Sequence, residues 1–215
     1  MEVMHYARVL KIAEAELPTR WGSFRILGFE GHLAPDATPG PMGKTVDEAV
    51  ALIYGNVHDG QSPIVRVHSQ CLTGDVFHSL RCDCRQQLEL ALDTITAHGA
   101  GILLYEAQEG RGIGLMAKLR AYELQDAGRD TIQANVELGY RADHRDFTLP
   151  AEILNQLGIR SVRLITNNPE KVEAMESHGI HVAERISAEV AAELTSKKYL
   201  EVKRDQMGHL ISSLR

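Results

Sequence analysis

Apolar and polar residues alternate in blocks along the chain, and these blocks predict a succession of strands and helices. Short apolar runs bounded by turn residues predict strands at 20–29, at 51–67 on both sides of a polar turn, and at 102–105, 161–165 and 180–184. Apolar residues spaced i, i+3, i+4 and i+7 predict a helix from Thr73 to about His98; further helices are predicted at 115–126, at 151–157 and from Pro169. The alternation of strand and helix over 100–185 favours an α/β (mixed α+β) fold, with a central mixed sheet flanked by helices.

Glycine and proline mark the segments between these elements. Residues 32–46 contain three prolines and two glycines and predict a surface loop, and residues 109–114 predict a Gly-rich turn. Residues 187–215 are polar and predict a helical tail. A length of 215 residues fits one domain, and we expect 1–215 to form it.

Charge and composition exclude several classes of protein. The net charge is −6, and 4 Phe, 1 Trp and 6 Tyr are few, which argues against a nucleic-acid-binding surface. No apolar run reaches about 18 residues, so we expect no membrane span. The N-terminal residues carry charges and lack the apolar stretch of a secretory signal. These features predict a cytoplasmic protein.

Three cysteines cluster within 14 residues, as Cys71, Cys82 and Cys84. An odd number of clustered thiols in a cytoplasmic protein indicates a metal site more than a disulfide framework, and zinc is the metal that best suits thiolates. The C-x10-C-x-C spacing differs from that of closed structural sites, and three ligands are typical of a catalytic zinc with water in the fourth position. Two alternatives stay open: buried apolar cysteines, or a structural site completed by His68 or His78.

Two turns have the form of anion-binding sites. Residues 109–114 (EGRGIG) offer flexible backbone amides and the charge of Arg111, although a Gly-rich turn between strand and helix is often only a turn. Residues 166–171 (TNNPEK) predict a helix capped by Asn168, with Lys171 in a first turn where the helix dipole disfavours a cation. A bound anion would explain that lysine, and an ordinary capped helix is the alternative. Both turns follow strands, at the edge where α/β proteins bind ligands.

Nearly the whole chain resembles the GTP cyclohydrolase II family of riboflavin biosynthesis. The motifs that carry the resemblance are AEAELPTRWGSFRILGF (13–29), RVHSQCLTGDVFHSLRCDC (66–84), YEAQEGRGIGLMAKLRAYELQD (105–126), TIQANVELGYRADHRDF (131–147), TNNPEKVEAMESHGI (166–180) and YLEVKRDQMGHL (199–210). The bifunctional form of the family has an additional N-terminal synthase domain, so this length predicts the stand-alone form.

The resemblance implies a reaction and a set of residues. GTP would be hydrolysed at C8 of the guanine with release of formate and pyrophosphate, giving 2,5-diamino-6-ribosylamino-4(3H)-pyrimidinone 5′-phosphate. It implies one zinc ion per chain, magnesium on the phosphates and a homodimer. By motif, the cysteines Cys71, Cys82 and Cys84 would hold zinc; Tyr122 would assist ring hydrolysis, Asp143 would accept a proton, and Arg145 would act as nucleophile at the α-phosphate. The residues implied in GTP binding are Arg66, Val67, His68, Ser69, Gln70, Gln87, Glu109, Gly110, Arg111, Thr131, Thr166 and Lys171.

Some positions depart from the family pattern or allow another interpretation. Gln70 replaces a frequent Glu, and His78 and Arg85 replace usual glycines. A guanidinium stays protonated at neutral pH and is a poor nucleophile, so Arg145 could instead act as an electrostatic clamp oriented by Asp143. From the residues alone, the mixed-charge stretch RADHRD favours an exposed surface pair of Asp143 and Arg145.

Two other functions would share these motifs. A sibling enzyme of specialised metabolism opens the ring and retains the formyl group, but its variants replace the tyrosine that this chain keeps as Tyr122. A nucleotide-binding module with structural zinc would bind the nucleotide without hydrolysing it. Its fourth zinc ligand would be a protein side chain, whereas a catalytic zinc would hold water in that position.

Overall fold

A mixed β-sheet forms the centre of the computed structural model, which describes residues 5–190, 204–205 and 208–212. Within these residues seven strands pair in the order β1-β2-β3-β5-β4-β6-β7. β1, β2, β3 and β5 are antiparallel neighbours, whereas β5, β4, β6 and β7 run parallel. The strands are β1 (Tyr6–Thr19), β2 (Gly22–Leu33), β3 (Val46–Tyr54), β4 (Ile64–Ser69), β5 (Gly101–Glu106), β6 (Ser161–Ile165) and β7 (His181–Ile186). This sheet confirms the predicted mixed α/β class.

Helices connect the parallel strands and cover both faces of the sheet. They are α1 (Leu72–Asp75), α2 (Cys84–His98), α3 (Leu115–Asp126), α4 (Thr131–Glu137), α5 (Thr148–Gln156) and α6 (Pro169–Ser177), with a 3₁₀ turn at Glu109–Gly112. Among the described helices, none combines the length and apolar character that crossing a bilayer requires.

The two faces of the sheet bury two apolar clusters. On one face Val65 and Val67 of β4 pack with residues of α5 and α6, and on the other Ile64 packs with Ile95 of α2. Side chains of a strand alternate between faces, so Arg66 and His68 lie on the α2 face with Ile64. The strand thereby places two polar side chains on the face that α2 covers, near the first turn of that helix.

One sequence prediction of secondary structure is wrong, two elements were not predicted, and one prediction lies mostly outside the described residues. The helix predicted from Thr73 to His98 is wrong as one element, since the chain leaves the helical conformation between α1 and α2. The strand β1 and the helix α4 were not predicted. Most of the predicted helical tail at 187–215 lies outside the described residues; of those described, 204–205 are helical, whereas 187–190 and 208–212 are not.

Candidate metal centre and anion pocket

Three loops meet at one edge of the sheet. β4, β5 and β6 are parallel, so the segments that follow Ser69, Glu106 and Ile165 emerge side by side. These segments carry the first cysteine, the Gly-rich turn and the TNNPEK turn. The arrangement confirms the expectation that both candidate anion sites share one edge, and it adds the cysteines to them.

The three cysteines converge at this edge. The sulfur atoms of Cys71, Cys82 and Cys84 lie within 4.8 Å of one another, and the Cys71 and Cys82 sulfurs are 3.7 Å apart. Gly74 of α1 packs directly beneath them: an added Cβ would lie 2.9 Å from the Cys82 sulfur and 3.1 Å from the Cys71 sulfur. Only glycine therefore lets α1 approach the thiols this closely.

The donor set fits a zinc ion. Zn–S bonds of about 2.3 Å in tetrahedral geometry place sulfurs about 3.8 Å apart, close to the observed spacing. Among the described residues, no histidine nitrogen or carboxylate oxygen joins the cluster. His68 instead bonds Asp75, and His78 is exposed, so neither supports the alternative of a closed structural site.

The thiols influence one another's ionisation. Hydrogen bonds with Cys82 and Cys84, followed by the nearby Lys118 ammonium, lower the pKa of Cys71. The pKa of Cys84 is raised, mainly by its hydrogen bonds with Cys71 and Cys82 and then by burial. A bound cation would favour ionisation of all three thiols.

A buried carboxylate holds the loop that carries Cys71. Asp75 accepts hydrogen bonds from the Cys71 amide (3.0 Å) and the Tyr105 hydroxyl (2.8 Å), and it lies 3.2 Å from His68 Nε2. Arg85 donates to the Asp75 carbonyl over 2.6 Å, so this departure from the family pattern supports the end of α1. Burial lowers the pKa of His68, partly offset by its bond to Asp75.

The Gly-rich turn is tightly wound beside the cysteines. Gly110 and Arg111 both have φ near +60°, a left-handed conformation that is strained for an arginine. Glu109 is buried and accepts hydrogen bonds from the amides of Leu72 (2.6 Å) and Gly110 (2.9 Å) and from Lys118 Nζ (2.8 Å). Glu109 therefore joins the loop that carries Cys71, the Gly-rich turn and α3.

Tyr122 faces the cysteines from α3. Its hydroxyl lies 3.2 Å from Thr73 Oγ1, which in turn lies 3.7 Å from the Cys71 sulfur. Arg81 stacks over the Tyr122 ring at 4.7 Å. Burial raises the pKa of Tyr122, so the hydroxyl remains protonated at neutral pH.

A cavity of about 300 Å³ opens in front of the cysteines and has the size of a small-molecule site. Gln70, Glu109, Gly110 and Tyr122 are among the residues that line it. Five of its lining residues are cationic: Arg81, Arg111, Lys118, Arg129 and Arg145. In a protein of net charge −6, this is a local concentration of positive charge suited to an anionic ligand.

A smaller cavity of about 70 Å³ adjoins the first and is also cationic. Ser69, Cys84, Arg111 and Arg145 line both cavities. The residues that complete the smaller one include Arg66, His68, Gln87, Thr166 and Lys171. Within the described residues, neither Arg66 Nε nor His68 Nδ1 has a hydrogen-bond partner, although both atoms are buried. Buried polar atoms without a partner indicate room for a polar ligand.

Lys171 is held at the floor of the smaller cavity. Asn168 caps α6 by accepting the Glu170 amide (3.1 Å), and Lys171 Nζ donates to the Val67 carbonyl (2.7 Å). Burial, then repulsion from Arg66 and Arg145, lowers the pKa of Lys171 well below its usual value. Burial also lowers the pKa of Arg66 to about 10. An anion bound here would relieve the repulsion among these cations.

Asp143 and Arg145 form a largely buried pair. Arg145 donates to Asp143 through Nε (3.0 Å) and Nη2 (2.5 Å), and the two side chains are only 14% and 13% exposed. Burial would raise the pKa of Asp143, but Arg145 outweighs that effect and the pKa is lowered. The surface-pair interpretation is therefore wrong. Arg145 lines both cavities and also a third one of about 590 Å³ beside residues 36–41.

The other predicted site residues occupy different positions. Val67 is fully buried in the core, so only its backbone reaches the site. Gln87 accepts a hydrogen bond from Arg66 (2.7 Å), and Thr166 accepts one from the Asn168 amide (3.0 Å). Thr131 begins α4, and its side chain lies outside the described part of the structure.

The sequence analysis missed residues that the structure places at the site. Lys118 contacts both Cys71 and Glu109, and Gln108 contacts Glu106 and the backbone of Asp146. Lys118 precedes Tyr122 by four residues on one helix, which puts both on the same face, but this spacing alone does not show that the face meets the cysteines. Burial raises the pKa of Glu106 to about 7 although Lys171 and Arg145 act in the opposite direction.

Comparisons with known proteins agree with this geometry. A GTP cyclohydrolase-2 from Actinobacillus succinogenes is 50% identical over 205 residues, covering 95% of this chain and 89% of the relative. The same-named protein of Shigella boydii is 50% identical over 202 residues, covering 94% and 97%. The riboflavin biosynthesis protein RibBA of Salinispora tropica is 49% identical over 201 residues, covering 93% of this chain and 48% of that protein.

A profile of the family described as GTP cyclohydrolase II matches residues 10–187. The match includes the three cysteines, the Gly-rich turn and the Asp143–Arg145 pair. With half-identical relatives over most of the chain, it shows that this protein is an enzyme of the GTP cyclohydrolase II family, which acts in riboflavin biosynthesis.

Proposed function

We propose that this protein hydrolyses GTP at C8 of guanine and releases formate and pyrophosphate. The product is 2,5-diamino-6-ribosylamino-4(3H)-pyrimidinone 5′-phosphate, and the reaction is the first step of riboflavin biosynthesis. Its balance requires two waters at the base, one to open the ring and one to release formate, and a third at the phosphate. The observation that carries the proposal is the thiol cluster at the end of β4, which opens into two connected cationic cavities.

The cysteine end of the larger cavity suits the base. Cys71, Cys82 and Cys84 would hold one zinc ion per chain, which when bound supplies Lewis-acid activation of water at neutral pH. Tyr122, whose hydroxyl stays protonated and reaches Thr73 beside the thiols, is positioned to donate a proton during ring hydrolysis. Gln70 lines the same cavity and offers an amide to the base.

The cationic cavities suit the triphosphate. Arg66 and Lys171 sit at the floor of the smaller cavity, where Thr166 and Gln87 also lie. Glu109, Gly110 and Arg111 line the larger one, and the RVHSQ stretch at 66–70 leads from β4 into both. Positive side chains and backbone amides stabilise the charge that develops as the phosphate bond breaks.

Arg145 lies where the cavities meet, in reach of a phosphate bound in either one. We infer that it acts at the α-phosphate and that Asp143, bonded to it through two donors, orients it and accepts a proton. A planar guanidinium held on one side by a carboxylate is well suited to clamp phosphate oxygens.

Other features of the proposal follow from the resemblance. We expect magnesium to accompany the triphosphate and a homodimer to be the working assembly, and we treat 1–215 as one domain in the cytoplasm. The same resemblance leads us to expect that Thr131, in the TIQANV segment, contacts GTP. Size-exclusion chromatography with light scattering measures the assembly directly.

The decisive experiment incubates the pure protein with GTP and Mg²⁺ and measures formate and pyrophosphate together. We expect both products in equal amounts and one zinc per chain by metal analysis. Ring opening without formate would instead indicate the sibling enzyme that keeps the formyl group. Binding of GTP with neither product would indicate a nucleotide-binding module.

A matched variant tests the metal ligands. Cys82→Ser should lose zinc and formate release together, because serine is a poor ligand for zinc and two thiolates cannot replace three. Circular dichroism checks that the variant is folded. Full zinc occupancy in this variant would contradict the ligand assignment.

A further inference from the structure

A buried lysine lies against the thiol cluster, and its hydrogen bonds join a sulfur and a carboxylate. Lys118 Nζ is 3.2 Å from the Cys71 sulfur and 2.8 Å from Glu109 Oε1, and its side chain is only 12% exposed. The ammonium also lies 5.7 Å from the centre of the Tyr122 ring. Burying an ammonium is costly unless its partners compensate, so its position beside the sulfur requires a reason.

Glu109 fixes this ammonium in place. One oxygen of Glu109 accepts from Lys118 and from the Gly110 amide, and the other accepts from the Leu72 amide, next to Cys71. The carboxylate is 7% exposed and its two oxygens are both engaged by protein donors. Lys118 is therefore oriented by the Gly-rich turn, which is itself bonded to the loop that carries Cys71, and it cannot move away without breaking its bond to Glu109.

The charge of the metal centre explains what this lysine does. Three thiolates around a divalent zinc leave one net negative charge, and electron donation from thiolates weakens a metal as a Lewis acid. A charge-assisted N–H···S hydrogen bond withdraws electron density from the sulfur that accepts it. A cation on one thiolate thus offsets both the net charge and the excess donation.

We propose that Lys118 is a positioning residue for the reaction, which polarises the Cys71 thiolate through its hydrogen bond and thereby strengthens the bound metal as an electrophile. The inference rests on the zinc site of the proposed function. It assigns Glu109 to the orientation of Lys118 in addition to any contact with GTP. The alternative is a purely structural pair that fastens α3 to the zinc loop.

The electronic role has a spectroscopic signature that a structural role lacks. Cobalt(II) in place of zinc gives sulfur-to-metal charge-transfer bands, whose energy falls when a thiolate loses a hydrogen-bond donor. We expect Lys118→Met, loaded with cobalt and without substrate, to show these bands shifted to longer wavelength. Arg120→Met, which removes an exposed cation from the same helix, should leave them unchanged.

Kinetics provide a second readout on the zinc enzymes. Lys118→Met should lower kcat for formate release roughly 10- to 100-fold, as outer partners of metal ligands do, with little change in KM for GTP. Lys118→Arg should retain most of the rate and the wild-type band position, because it keeps a charged donor. Lys118→Gln keeps a donor without charge and should fall between them.

The outcomes separate this proposal from the proposed function. Unshifted bands in Lys118→Met would overturn the role of Lys118 even if the rate fell. If Lys118→Met does not bind cobalt, the charge-transfer bands of Lys118→Gln and Lys118→Arg are compared instead. Identical band positions in these two variants would also overturn the role of Lys118. Failure of the proposed function is recognised differently, by a wild-type protein that shows no sulfur-to-cobalt bands and releases no formate.

Discussion

At the scale of single residues, Tyr122 offers the clearest separation of chemistry from binding. Its hydroxyl reaches Thr73, beside Cys71, while its ring stacks against Arg81. Tyr122→Phe keeps the ring and removes only the hydroxyl. We expect kcat for formate release to fall roughly 100-fold or more, the range of one proton-transfer group, while KM for GTP changes little.

Steady-state formate assays over a range of GTP concentrations measure both constants for the Tyr122 variant. Thr73→Val is an informative companion, since it removes the hydroxyl that orients Tyr122. Wild-type formate release by Tyr122→Phe would show that the ring serves packing alone.

Residue types and spacing could reveal the cysteines but not their neighbours. Cys71, Cys82 and Cys84 are few and clustered, so their pattern is visible in the chain itself. Lys118 becomes significant only because α3 folds back against the β4 loop, 47 residues away in sequence. The buried state of Asp143 and Arg145 likewise depends on distant packing, which is why local charge favoured a surface pair.

His78 illustrates how a backbone conformation can be read only from the structure. This residue has φ of 55°, in the left-handed region that favours glycine, and it replaces a usual glycine of the family. The turn it makes breaks the predicted helix between α1 and α2. The chain must turn there so that Cys82 and Cys84 can return to Cys71.

At the scale of elements, the ends of the parallel strands assemble the site. The alternation of strand and helix after residue 100 was sufficient to predict that the Gly-rich turn and the TNNPEK turn share one edge. β1 was not predictable in this way, because nearly all of its residues are exposed or half-buried and no alternating buried face exists. α4 is short and mostly polar, so its sequence resembles a loop.

Gln108 connects the end of β5 with the segment that carries Arg145. Its side chain accepts the Asp146 amide (3.0 Å) and donates to the Asp146 carbonyl (2.5 Å) and to Glu106 (2.8 Å). These two bonds to Asp146 resemble the pair of hydrogen bonds between neighbouring strands. They fix the backbone at Asp146, the residue that follows Arg145. We expect Gln108→Leu to lower pyrophosphate release roughly 10- to 100-fold, because small displacements of a positioned group are costly in rate.

Zinc content should stay at the wild-type value in Gln108→Leu, since no hydrogen bond of the Gln108 side chain described above joins a cysteine. Gln61→Leu, at an exposed glutamine between β3 and β4, is the matched control and should leave both products unaffected. A Gln108→Leu protein with wild-type pyrophosphate release would mean that Arg145 is positioned by Asp143 alone.

At the scale of the whole molecule, the chain is acidic whereas its candidate site is rich in cations. The chain carries a net charge of −6, yet five cations line the larger cavity and Arg66 and Lys171 are buried in the smaller one. The net charge excluded a nucleic-acid-binding surface but gave no information about this interior concentration. The fold assembles it, because the cations come from β4, α3, α6, the 3₁₀ turn and three loops.

Substitutions at the cysteines and at Arg145 should reduce the release of different products. A Cys71→Ser protein without metal should release little formate, because the base is attacked at the cysteine end. Arg145→Ala should lose pyrophosphate release, because its side chain lies where the two cationic cavities meet. Parallel assays of the two products on each variant measure this separation, and normal pyrophosphate release by Arg145→Ala would contradict the role of Arg145.

Arg145→Lys then distinguishes charge from geometry. Arg145 bonds Asp143 through both Nε and Nη2, which fixes the plane of the guanidinium and the direction of its remaining donors. An ammonium is a point charge that cannot hold Asp143 in this forked way and present directed donors to a phosphate at once. We therefore expect Arg145→Lys to release pyrophosphate almost as slowly as Arg145→Ala, at least about 100-fold below wild type, with zinc content unchanged. Substantial activity in the lysine variant would show that positive charge alone suffices, and it would exclude a covalent role for the guanidinium.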